Sequence, residues 1–136
     1  MKHLLLILNL LLMCLLSCSS DDELMQAEDD QELTQEEEVQ NLSELLAEIE
    51  LLATSEACTG DSDVSFTAIG NKACGGPAGY IAYSLKIDTD SFLEQVEEYT
   101  EQQLAFNMKW GVISDCAVEN PPSEVSCMNG VPRLGS

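Results

Sequence analysis

Four cysteines in the body of this chain, Cys58, Cys74, Cys116 and Cys127, are the side chains best placed to do chemistry. They are separated by 15, 41 and 10 residues, with no C-x-x-C pair. That spacing suits neither a structural zinc site nor a thioredoxin-type redox motif. The one histidine, His3, stands at the amino end. Ser-His-Asp and Cys-His nucleophile systems, histidine general bases and mixed zinc sites therefore have no place in the remainder. Aspartates recur as Asp61-Ser62-Asp63 and Asp88-Thr89-Asp90, the D-x-D form that calcium loops use. Neither continues as an EF-hand, because Phe66 stands where the first needs Gly and Phe92 where the second needs an acid. Turn and helix-cap roles are expected of them instead. Gly75, Gly76 and Gly79 lack a following helix with Lys-Ser/Thr, which rules out a phosphate loop. No catalytic residue, metal or cofactor is expected, and the protein is not read as an enzyme.

The amino end reads MKHLLLILNLLLMCLLSCSSDDE. A lysine followed by a short apolar run describes a secretory signal peptide, and the run is too short for a comfortable membrane span. Lys2 and His3 precede it and acids follow, so the tail would be drawn outward. Leu15-Leu16-Ser17-Cys18 resembles the lipobox of bacterial lipoprotein precursors. The resemblance implies that residues 1–17 are removed, that the Cys18 sulfur carries a diacylglycerol, and that the new amino terminus is acylated. At ~0.8 kcal/mol per buried methylene, such chains make an effectively permanent anchor. Ser19-Ser20-Asp21-Asp22-Glu23 in turn resembles the acidic export tag of surface-exposed lipoproteins of the Bacteroidetes. Serine after the cysteine also departs from the inner-membrane retention signal of enteric lipoproteins. Both points imply a lipid anchor in the outer membrane of a bacterial envelope, with the cell-surface orientation left open.

All 25 acids follow Cys18, against only Lys72, Lys86, Lys109 and Arg133. Residues 18–136 thus carry a formal charge of −21, which repels nucleic acid and anionic lipid. Between Asp21 and Glu56 there are fourteen acids and no base. Residues 18–33 read as an acidic tether. A helix is expected over residues 35–54, within an acidic amphipathic segment 34–57. Thr34 and Glu37 form a capping box, and Val39, Leu42, Leu46, Ile49 and Ala53 recur at 3-4 spacing. No lysine offsets its glutamates, so its leucines must be buried against the chain's own domain, another copy or a partner.

Residues 58–136 form a domain of the size that needs staples in an exported protein, and two disulfides are expected. The sequence reading pairs Cys58 with Cys74 and Cys116 with Cys127. Strands are expected over Asp63–Ile69 and Tyr80–Ile87, flanking an irregular Gly70–Gly79 connector. Ser91 and Glu94 suggest a second capping box, and Phe92, Val96, Tyr99, Phe106 and Trp110 make a stripe ending at Gly111. Beyond it, Val112–Val118 and Glu124–Met128 are read as a hairpin centred on Pro121-Pro122. That register sets Cys116 opposite Cys127, which is the ground for their pairing. Asn129-Gly130 signals a type I′ turn, and Pro132 marks the last strand as an edge. The expected class is α+β: a small antiparallel sheet on one long helix, disulfide-stapled, preceded by an acidic helical stalk.

The segments Lys72–Pro77, Tyr80–Ser84, Ile87-Asp88, Lys109–Gly111 and Ser114–Cys116 resemble a group of small lipoproteins from flavobacteria and their relatives. This resemblance implies class and compartment and carries over no catalytic residue. A lipid-anchored envelope protein with a binding or structural role follows, its partner a protein. The braced loop with Lys72, Gly75, Gly76 and Pro77 is the candidate contact. An inhibitor domain directed at a protease or lysozyme is the alternative.

Overall fold

The computed structural model describes residues 32–135. The expected signal peptide, Cys18 and nearly all of the acidic tether lie outside the described residues. From Leu33 onward the chain forms one compact unit. Its elements in order are helix α1 (Gln35–Ala53), a 3-10 turn (Asp61–Asp63), strands β1 (Val64–Asn71) and β2 (Pro77–Ser84), helix α2 (Thr89–Trp110), and strands β3 (Val125–Met128) and β4 (Val131–Leu134). The class is α+β, with two antiparallel hairpins, β1-β2 and β3-β4, rather than one continuous sheet.

Helix α1 begins as its residues require. The Thr34 hydroxyl accepts the Glu37 amide, and the Glu37 carboxylate reaches back to the Thr34 amide at 2.8 Å. It does not stand apart as a stalk. Ile49 and Ala53 sit in the main core with Ile69, Tyr83, Ile87, Phe92, Val96 and Tyr99, and Leu42, Leu45, Leu46 and Leu52 pack around them. The chain's own domain is what covers the leucines. Glu38 adds a polar lock at the far end of the pair: its carboxylate takes Lys109 Nζ at 2.6 Å and Trp110 Nε1 at 2.8 Å. These two bonds, Lys109 first, hold the Glu38 carboxyl below its ordinary range.

Helix α2 starts one turn earlier than the Ser91 box suggests. Asp88 is the cap, its carboxylate accepting the Ser91 amide at 3.2 Å, which leaves Ser91 inside the first turn. It ends at Gly111 in the left-handed region, φ +60°, as the glycine requires. Phe92, Val96 and Tyr99 are the buried residues of the stripe, and the Phe92 and Tyr83 rings lie 4.7 Å apart.

The β1-β2 hairpin runs further than the glycines suggest. Its register continues in step from Val64–Ser84 to Asn71–Pro77, so the two strands take in half of the segment expected to be irregular. Two devices permit this. Pro77 is the first residue of its strand, where no amide is needed. At Gly70, φ +71°, side chains of α2 take over from the ladder. The Gly70 amide donates to Thr100 Oγ1 at 2.9 Å, the Asn71 amide donates to Gln103 Oε1 at 2.6 Å, and Asn107 Nδ2 donates to the Asn71 carbonyl at 2.8 Å. A Cβ at residue 70 would run into the Gln103 carboxamide.

The second hairpin turns at Asn129-Gly130 with both φ values positive, 55° and 81°, as a type I′ turn requires. Pro132 stands opposite Cys127 in its register. Helices pack against Ile69, Ile81 and Tyr83 of the first hairpin, whereas Val64 is buried outside that cluster. No helix among the described residues is long and apolar enough to cross a membrane.

Candidate functional site

Both disulfides form, but not in the expected pairing. Cys58 bonds Cys127 and Cys74 bonds Cys116, with Cα separations of 6.0 and 5.4 Å. The hairpin that was to align Cys116 with Cys127 does not exist, because residues 112–124 contain no strand. Cys116 adopts φ +52°, which a strand forbids, and turns toward the β1-β2 turn. Cys58, in contrast, is held on the second hairpin: its amide donates to the Gly130 carbonyl at 3.1 Å. Asp61 completes this joint by accepting the Cys127 amide at 2.8 Å. The bridged residues lie 69 and 42 apart in sequence, far more than the short loops expected. In the chain-entropy picture each then contributes about 4 kcal/mol rather than 3.

The candidate contact loop is a tight turn between β1 and β2. The Lys72 amide donates to the Gly76 carbonyl at 2.9 Å and the Gly75 amide to the Lys72 carbonyl at 2.8 Å. Gly75 and Gly76 take φ values of +92° and +83°, which only glycine adopts without strain. Pro77 then fixes the entry to β2.

Lys72 is not presented to solvent. Its ammonium is inserted into the 112–124 segment, where it donates to the Ala117 carbonyl at 2.8 Å and to Glu119 Oε1 at 2.9 Å. It also meets Asp115 Oδ1 at 3.4 Å. Glu119, with Asp115 behind it, raises the lysine's affinity for its proton. Asp115 accepts the Ala117 amide at 3.1 Å as an Asx turn; that bond, and then Lys72, holds its carboxyl below the ordinary range. Tyr80 adds a tie by donating to the Glu119 carbonyl at 3.4 Å, and the Val112 amide anchors the loop to α2 through the Asn107 carbonyl at 3.0 Å.

The outcome is a backbone without regular structure that is nevertheless pinned by a disulfide, an ammonium and three hydrogen-bonded joints. It projects Ile113 and Val118 outward, 94% and 83% exposed. Between it and the last strand runs a shallow groove lined by Tyr80, Glu119, Pro121, Pro122 and Leu134. By residue type Ile113 and Val118 belong to a strand, and nothing in their spacing marks them as contact residues. The signal that separates the two readings is Ser114-Asp115: two turn-forming residues in the middle of the supposed strand.

The two D-x-D segments act as turns and caps. Asp63 accepts the Thr59 hydroxyl and amide and pairs with Lys86 at 3.0 Å, which draws its pKa down to about 2. Among the described residues no group of three or more His, Cys, Asp or Glu side chains could hold a metal ion. Comparison with family models, curated proteins and solved structures gives no match for this chain, so the functional reading rests on the site itself.

Proposed function

We propose that this protein is a bacterial lipoprotein, held in the outer membrane by acyl chains on Cys18, whose folded unit is a non-catalytic binding module. The observation that carries the binding role is the pinned 112–124 loop. Ordering an irregular segment costs roughly 1–2 kcal/mol per residue in backbone entropy, and this one is ordered without burying Ile113 or Val118. Such an expense at the surface is the signature of pre-organisation: a partner meets Ile113 and Val118 already in place and loses less freedom on binding. The lipid anchor is supported by the sequence of residues 2–23.

Lys72 gives no support to inhibition of a trypsin-like protease, because its ammonium is already bound by Glu119 and the Ala117 carbonyl.

Two experiments test the reading. Cys18→Ala is expected to release the chain from the membrane fraction and to remove acyl mass from the intact protein; retention in membranes would overturn the anchor. A photo-crosslinking residue at position 113 or 118, in whole cells, is expected to capture one discrete partner. That capture should be lost when Cys74 and Cys116 are both replaced by alanine. Capture that survives the double replacement would overturn the pre-organised loop.

A further inference from the structure

The outward face of α2 carries apolar residues that the fold covers only in part, Met108 least of all. Leu93, Leu104 and Met108 are 38%, 41% and 76% exposed, while Phe92, Val96 and Tyr99, about a third of a turn round the helix, fill the core. With 3.6 residues per turn the three exposed residues fall on one strip, and Glu94, Glu97 and Glu101 stand within it or along one edge. From residue 93 to residue 108 the strip runs about 22 Å. The lysines of the fold are committed elsewhere: Lys72 to Asp115 and Glu119, Lys86 to Asp63, and Lys109 to Glu38. Among the described residues no lysine neutralises Glu94, Glu97 or Glu101.

We propose that this face docks a basic amphipathic α-helix of a partner protein. Its apolar residues would cover Leu93, Leu104 and Met108, and its lysines or arginines would meet the three glutamates. Charge selects this occupant. A second copy of the chain would set glutamate against glutamate across the interface. A neutral apolar partner would strip water from three carboxylates and return nothing. A basic helix satisfies both kinds of side chain at once, in the manner of helix recognition through apolar anchors at i, i+4 spacing. The inference rests on α2 and is independent of both the loop and the anchor.

The test uses the full chain in a nonionic detergent, titrated with a labelled Leu/Lys peptide of about 18 residues arranged at helical spacing. A peptide of the same composition in scrambled order is the control, and the peptide with detergent alone corrects for micelle binding. The ordered peptide is expected to bind at least about tenfold more tightly than the scrambled one. Replacing Leu104 and Met108 together by glutamine should weaken it about tenfold. Glu97→Gln with Glu101→Gln should weaken it and flatten its salt dependence. These positions are exposed, so circular dichroism of the variants is expected to match the parent. Equal binding of the two peptides would overturn the proposal, as would indifference to the Leu104 and Met108 replacements. Failure of the crosslink at Ile113 leaves this result untouched, so the two ideas fail separately.

Discussion

The two disulfide regions put the same bond to different uses. Cys58 is buried, and its bridge to Cys127 joins the segment after α1 to a regular hairpin whose turn accepts the Cys58 amide. Cys74 and Cys116 are both exposed, and their bridge pins an irregular loop to a turn. One bond closes the fold; the other shapes a surface. A staple therefore does not by itself indicate a core, and its meaning depends on what lies around the sulfurs.

The largest difference should appear in stability. Replacing Cys58 and Cys127 by alanine is expected to cost about 4 kcal/mol in denaturant unfolding. The Cys74/Cys116 pair closes a loop of similar entropic weight, yet its removal should cost distinctly less, because the freed loop regains motion in the folded state. Equal losses would erase the distinction. Next comes reducibility. A dithiol reductant followed by alkylation and mass analysis should open Cys74–Cys116 before Cys58–Cys127, since exchange requires access to a sulfur. Simultaneous opening would show that the loop and the hairpin unfold together.

A smaller and more local effect is expected from Lys72→Met. Amide exchange at residues 113–119 should accelerate while that of β3 and β4 stays unchanged. Acid provides the mildest probe. Asp63, Glu38 and Asp115 have folded-state values below the ordinary carboxylate range, so their contribution is complete above about pH 4. It is lost as pH falls through the folded values, with Asp63 holding on to about pH 2. Between those limits the Lys72 loop and the Glu38 lock should loosen while both disulfides remain closed. A flat acid titration of loop exchange would count against the ion pairs as loop supports.

The same contrast explains which parts of the fold were legible. Thr34 with Glu37, Gly111 and Asn129-Gly130 each settle a local backbone choice through their own chemistry, and the elements they bound were readable. The disulfide pairing was not, because it depends on where distant segments meet. Val112, Ile113 and Val118 suggested a strand by residue type, whereas the Lys72 ammonium and the Asp115 turn set the backbone there. Gly70 and Pro77 looked like interruptions because the side chains that stand in for the ladder, Thr100, Gln103 and Asn107, come from a helix thirty or more residues away.

The placement of α1 has a mechanical consequence. Tension entering from the amino side reaches Thr34 and then Glu38, whose grip on Lys109 and Trp110 lies at the very start of the packed surface. Ile49 and Ala53, the deepest residues of that helix, follow about three turns later. A chain tugged from its amino end would thus peel turn by turn, shedding load before the centre of the fold feels it.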